Sequence, residues 1–259
     1  MEKSSLPLLE LRDVWYRLPN NFDVKLFRGM NFKVFPNEFV LLIGENGAGK
    51  STVIKIMTGL TKIKPRNGIM LWNGKVMKPK HMLNHIGLVL QDPVNYFFMP
   101  TVLDELIVGR PDKTPNDVRD VLEAVGLQNI SLLRDPRSLS GGQVRRLAIA
   151  DQLMRDPRPT LFALDEPLAG VDWTGRREIA ELLGTLKKQF AIVIVSHEPG
   201  ELLEYADRVV EVGRGGTREV HPRIVAKAIS IRAERKRAVR AKALQEALEY
   251  SMNQLNLDS

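Results

Sequence analysis

A chain of 259 residues is long enough to bury a full core and to carry one α/β domain with appendages. Its 44% apolar and 27% charged residues are ordinary for a soluble globular protein. No apolar stretch approaches the roughly 18 residues that cross a bilayer, and the lack of cysteine excludes disulfides and thiolate metal sites. The formal charge of +7 is uneven: residues 222–259 hold eight Lys and Arg against four Asp and Glu, so the basic character belongs mostly to a C-terminal appendage.

Met1-Glu2-Lys3-Ser4-Ser5 runs into an alternating segment rather than a long apolar one, and no signal peptide is expected. Strands are predicted where Leu9 to Val14 and Met30 to Phe35 alternate, with a turn at Pro19-Asn20-Asn21, and a buried strand over Phe39 to Ile43. Val53, Ile56, Met57 and Leu60 recur at helical spacing, predicting a helix over Lys50–Leu60 closed by Thr61 and the Pro65 region. Short strands follow at 68–72 and 86–90, with Asn73-Gly74 as a turn. From Gln91 to Leu139 the period becomes helical, over 102–108 and 118–125, the second opened by Thr114-Pro115. A further helix is predicted over 143–154. Then α/β alternation resumes with a strand at 160–164, a helix at 176–188, a strand at 191–195, a short helix near 201–205, and strands at 209–212 and 218–220. Crossover helices between apolar strands imply a three-layer α/β core with a largely parallel sheet and a helical insertion over about 92–155. Residues 222–259 read as a basic helical extension, with Leu244, Leu248, Met252 and Leu255 as its apolar stripe.

Gly44-Glu45-Asn46-Gly47-Ala48-Gly49-Lys50-Ser51-Thr52 satisfies G-x-x-x-x-G-K-[ST] directly after an apolar strand, the setting of a phosphate-binding loop. Glycines let amide groups converge on phosphate, Lys50 can reach the β and γ oxygens, and Ser51 can ligate Mg²⁺. The plain alternative is a Gly-rich strand-to-helix turn. A second carbonyl or carboxylate for the ion is sought at strand ends, and Thr160 to Leu164 leads into Asp165 and Glu166. If that strand persists, the two carboxylates point to opposite sides, so that Asp165 can serve the metal while Glu166 orients and deprotonates water. Gln91, after the strand ending at Leu90, offers a carbonyl to Mg²⁺ or water, and His197 follows another strand end within reach of a γ-phosphate. Leu139-Ser140-Gly141-Gly142-Gln143 is a second Gly-rich turn leading into a helix, where further amides can face an anion.

Taken together, these motifs resemble the ABC-type ATPase family over roughly residues 8–221. Walker A corresponds to Gly44–Thr52, the Q-loop glutamine to Gln91, and the signature to Leu139–Gln143. Walker B corresponds to Leu161–Asp165 followed by catalytic Glu166, the D-loop to Ala169-Gly170-Val171-Asp172, and the H-loop to His197. The resemblance implies a P-loop core with N-terminal antiparallel strands, with ATP and Mg²⁺ as cofactors. It further implies that Ser140, Gly141, Gly142 and Gln143 clamp the nucleotide held by Lys50 of an opposing subunit in a head-to-tail dimer. Adenine contact is assigned by the family to an aromatic residue where this chain has Leu18, with Tyr16 two residues before it.

Too few residues lie between Lys50 and Asp165 for a long coiled-coil insertion, and there is one cassette, which favours a transporter-energising subunit over ABC proteins of DNA or ribosomes. Gln91-Asp92-Pro93 with nearby Phe97, and Pro167-Leu168-Ala169-Gly170-Val171-Asp172, resemble the energy-coupling-factor group, which takes up vitamins or transition-metal ions. The resemblance implies a second, same or related ATPase subunit and integral membrane subunits docking near Asp92–Leu106, where Tyr96, Phe97, Phe98 and Met99 form an apolar cluster. It places the chain peripherally on the cytoplasmic face of the membrane. The alternative is a non-transport ABC ATPase meeting nucleic acid or the ribosome through Arg232 to Lys242; with Tyr250 as the tail's one aromatic, nucleic acid is disfavoured.

Overall fold

The computed structural model describes residues 6–18, 21–213, 215–231 and 234. By contact density the chain divides into two compact units, Met1–Glu219 and Val220–Ser259. The first unit begins with strands β1 (Leu9–Leu18) and β2 (Asn21–Val34), then β3 (Phe39–Ile43), helix α1 (Lys50–Met57), β4 (Ile69–Trp72), β5 (Lys75–Val76) and β6 (Ile86–Val89). Helices α2 (Val102–Ile107), α3 (Pro115–Ala124) and α4 (Gly141–Leu153) form the insertion. The chain returns through β7 (Leu161–Asp165), α5 (Trp173–Leu186), β8 (Ala191–Val195), β9 (Arg208–Gly213) and β10 (Gly216–Val220). In the second unit residues 222–231 are helical; the turn at 19–20, the Leu244 to Leu255 stripe and the basic run that begins at Arg232 lie outside the described residues, save Glu234.

Two sheets result, ordered β2-β1-β4-β5 and β10-β9-β3-β8-β7-β6. The first is antiparallel throughout, while β9, β3, β8, β7 and β6 pair in parallel. The central parallel strands β3, β7 and β8 read as near-continuous apolar runs because both of their faces are covered. Their period of two divides the core: Val40, Leu42, Leu161, Ala163, Val193 and Val195 join one cluster with α1 and the antiparallel sheet. Phe162 turns to the other face, edge-on to Phe190 at 5.1 Å. Helix α1 is consequently enclosed between sheets, with Lys50, Val53, Ile54, Ile56 and Met57 all buried.

Several boundaries move from expectation for local reasons. The alternation of β1 breaks at a bulge around Arg12-Asp13, where Asp13 has φ +50°, and Glu10 is buried with its carboxylate on Arg12 (2.7 Å) and Lys33 (3.2 Å). Helices α4 and α5 start earlier than the apolar spacing indicates because Ser140 and Asp172 cap them, each accepting from the amide three residues on. The α1 helix stops at Met57, short of Leu60, because Gly59 takes the left-handed conformation (φ +77°) and folds the chain against Pro79. A Cβ on Gly59 would stand 1.9 Å from the Pro79 carbonyl oxygen, and backbone cannot swing aside as a side chain can. Gly59→Ala is expected to destabilise the protein by about 2–4 kcal/mol in denaturant unfolding, whereas Gly200→Ala, with open space around it, changes stability by about 0.5 kcal/mol or less.

Candidate functional site

The loop between β3 and α1 is built by glycines at positive φ: Gly44 (+146°), Gly47 (+78°) and Gly49 (+104°). Gly49 has a packing reason as well, since a Cβ there would lie 2.8 Å from Phe27 Cζ and 2.9 Å from Leu26 Cδ2, both under the loop. Lys50 opens the helix with a buried side chain. Its Nζ donates to the carbonyls of Gly44 (2.9 Å) and Glu45 (3.0 Å) and sits 3.3 Å from His197 Nδ1. Burial lowers the Lys50 pKa, and the carboxylates of Glu166 and Asp165 pull it back up.

Asp165 ends β7 and accepts a hydrogen bond from Ser51 Oγ at 3.1 Å. Burial raises its pKa, opposed by the Ser51 bond and by Lys55, Lys50 and His197. Strand alternation does not explain Glu166, because β7 is already over: Glu166 sits at φ +51°, an orientation set by left-handed backbone rather than by a pleat. Its amide donates to Val195 O (3.0 Å), and its Oε2 accepts from the His197 amide (3.2 Å). The other oxygen, Oε1, is buried 3.4 Å from His197 Nε2 without a hydrogen bond. Burial pushes the Glu166 pKa up and Asp165 adds to the effect, while the His197 amide and charge and the Lys50 ammonium act against it.

Ser51, Gln91, Glu166 and His197 line one cleft of about 360 Å³, together with Ser196, Arg176 and the Leu168–Gly170 turn. Gln91 is exposed on its wall. Arg176 and Ser196 were not marked by any motif; Arg176 reads as an ordinary first-turn helix residue, and its guanidinium is held by Glu201 at 2.8 and 3.0 Å. The 139–143 turn is separate from this group. Ser140 and Gln143 form a reciprocal capping box (3.1 and 3.3 Å), and among the described residues no hydrogen bond joins 140–143 to the 44–52 loop. Gly142 packs against Gly175, where an added Cβ would stand 3.4 Å from Gly175 Cα, an ordinary contact distance. Tyr16 and Leu18 are half-buried near the same loop's support: the Tyr16 ring lies 6.5 Å from Phe27, and Leu18 packs on the core cluster that contains Phe27.

This donor set suits Mg²⁺ with a nucleotide. A hydroxyl and a carboxylate are hard oxygen ligands for an ion that keeps several waters and takes phosphate oxygens, and among the described residues no cluster of three or more acidic, His or Cys side chains offers a closed protein cage. Glu166 lines the cleft, and its buried Oε1 makes no hydrogen bond to the protein, with His197 Nε2 3.4 Å away.

A family model described as "ABC transporter" matches residues 27–169. The chain belongs to the ABC transporter ATP-binding family. It is 37% identical over 214 residues to an energy-coupling factor transporter ATP-binding protein of Methanocaldococcus jannaschii, covering 78% of this chain and 74% of that protein. It is also 35% identical over 222 residues to the chloroplastic ABC transporter I family member 11 of Arabidopsis thaliana, covering 80% of this chain and 79% of that one. Among solved structures it resembles cbiO1 of Clostridium perfringens, described as part of the ABC transporter complex cbiONQ, at TM-score 0.74 and 29% identity, covering 93% of this chain and all of that one. This ABC ATPase is thus closely related to the energy-coupling-factor type, and ATP and Mg²⁺ are its cofactors. Its described residues contain no helix long and apolar enough to cross a membrane.

The raised Glu166 pKa fixes the sign of a stability effect. The ionised side chain is disfavoured in the folded ATPase relative to the unfolded chain, so its cost is absent at low pH and grows as pH rises through the unfolded and then the folded pKa. Glu166→Gln is expected to raise the thermal midpoint of the nucleotide-free protein at pH 7–8, with the gain shrinking as pH is lowered towards 4; paired melting curves across that range check it.

Proposed function

We propose that this ATPase is the motor subunit of an energy-coupling-factor-type importer for a vitamin or a transition-metal ion, acting at the cytoplasmic face of the membrane as one half of a head-to-tail ATPase pair. The observation carrying its chemistry is the convergence of Lys50, Glu166 and His197 in contact, beside the Ser51–Asp165 pair. Lys50 binds the β- and γ-phosphates in place of the Gly44 and Glu45 carbonyls. Ser51 and Asp165 would hold the metal ion, with Gln91 contributing from the cleft wall. Mg²⁺, when bound there, would supply positive charge that offsets the charge developing on the transferred phosphoryl group. Glu166, with Oε2 fixed by the His197 amide and Oε1, without a hydrogen bond, 3.4 Å from His197 Nε2, orients the attacking water and accepts its proton. The His197 ring is half-exposed over the cleft and donates to the γ-phosphate.

Support for the pairing lies at the α4 N-terminus. The capping box occupies the Gln143 amide and leaves the first-turn amides of Gly141 and Gly142, next to an exposed Ser140, for an anion brought by another subunit. The facing subunit is a second copy or a related ATPase.

Support for membrane docking lies at 92–106. Glu105 is buried and accepts from the amides of Phe98 (2.8 Å) and Met99 (2.7 Å), fixing a loop that buries Phe97 while leaving Tyr96 and Phe98 exposed at 50% and 75%. The apolar cluster is thereby split: Phe97 is core, and Tyr96 and Phe98 are the side chains free to meet a partner. Beside them opens a cavity of about 170 Å³ lined by Leu88, Pro93, Tyr96, Phe97 and Asp151, among others. The similarity to cbiO1, itself part of a membrane transporter complex, favours the same reading.

Purified from native membranes, the ATPase is expected to bring integral subunits with it. In that complex Glu166→Gln is expected to keep ATP binding while losing turnover by about 10²-fold or more. A soluble protein with no integral partner would remove the transporter role, and undiminished hydrolysis would remove Glu166 as the water-activating group.

A further inference from the structure

Arg145 stands on α4 one turn beyond its capped end, and its side chain is buried. Its Nη2 donates to the Ala169 carbonyl at 3.0 Å, its Nε is buried with no hydrogen bond, and among the described residues no carboxylate comes within ion-pair distance of it. A buried guanidinium held by one neutral carbonyl is a costly arrangement for stability alone, since the desolvation penalty of an unpaired ion outlasts relaxation of its surroundings. Burial lowers the Arg145 pKa, and the opposing charge that acts on it is Asp92.

What Arg145 grips is the turn that carries Glu166. The Ala169 amide donates to the Glu166 carbonyl at 3.1 Å, and the Glu166 amide is tied to Val195 O at 3.0 Å. Those two bonds bracket a non-glycine residue at φ +51°, a conformation that persists only where its surroundings over-determine it. Asp92, the residue after Gln91 and the first of the 92–106 segment, makes no ion pair with Arg145, and its charge acts on the guanidinium only at longer range. The Asp92 side chain is exposed and makes no capping bond to the turn at 93–96 that it precedes.

We infer that Arg145 is a positioning residue for hydrolysis: through the Ala169 carbonyl it sets the Glu166 turn. The inference rests on the reading of Glu166 as the water-activating group. It accounts for a buried cation that neither the phosphate site nor the capping box uses.

The test is steady-state ATP hydrolysis by the intact complex carrying Arg145→Met, Arg145→Lys, Glu166→Gln, or Arg145→Met combined with Glu166→Gln. Arg145→Met is expected to lower kcat by about tenfold or more with KM for ATP within about threefold, and with a melting temperature within about 2 °C of the parent or above it, because a buried unpaired charge has been removed. Arg145→Lys is expected to recover part of the loss. Arg145→Met combined with Glu166→Gln should lose no more than the more impaired of the two single variants. Wild-type kcat in Arg145→Met overturns the inference, as does a fall in kcat that tracks a lowered melting temperature, or additive losses with Glu166→Gln. Full activity of Glu166→Gln would instead overturn the underlying reading, which keeps the two failures apart.

Discussion

The site depends on the in-register alignment of three parallel strands. Leu42 on β3 and Asp165 on β7 both pair with Val195 on β8, so the phosphate loop, the acidic pair and His197 leave the sheet at one edge and one level. No side chain has to reach far: Ser51 finds Asp165, Lys50 finds His197, and His197 finds Glu166 within 3.4 Å. A slip by one residue in either pairing would turn apolar and polar side chains to the wrong faces and separate these groups. Both faces of the sheet are packed, so such a slip would also expose much of the core.

That alignment brings charges together where water is scarce. Lys50, Asp165 and Glu166 are all buried, and burial moves each pKa towards its neutral form while their mutual attraction moves it back. The result is an electrostatic balance completed by ligand rather than by protein: Lys50 rests on loop carbonyls, and one Glu166 oxygen has no donor. Preorganised charge of this kind is what phosphoryl transfer uses, because the protein's task there is positioning and charge stabilisation more than covalent chemistry.

Much of this arrangement was legible in the sequence because its motifs are short and locally determined. The loop from Gly44 to Lys50, the strand into Asp165 and the Ser140 turn each carry their own backbone requirement, whether a positive φ or a cap. Element starts set by caps were legible in principle, since Ser140 with Gln143 and Asp172 with Gly175 are adjacent in sequence, yet apolar spacing alone placed both helices too late. The left-handed Glu166 was not legible, because a glutamate after an apolar run reads as one more strand residue. Nor was the burial of Arg145 or the support of Gly49 by Phe27, since these contacts join elements distant in the chain. The apolar cluster 96–99 misled in a similar way: its composition could not tell which ring turns inward, and the buried Glu105 carboxylate decides it by binding two consecutive amides.

The alignment can be tested at the metal itself, with Mn²⁺ substituted for Mg²⁺ and pulsed electron-spin measurements on the ATP-bound protein. The account predicts that ATP recruits Mn²⁺ to a site coupled to ³¹P nuclei of the nucleotide, and that Ser51→Ala and Asp165→Asn each weaken that metal binding without abolishing retention of ATP by Lys50. Phosphate-coupled Mn²⁺ bound equally well in both variants would contradict it, as would Mn²⁺ bound with no ³¹P coupling at all.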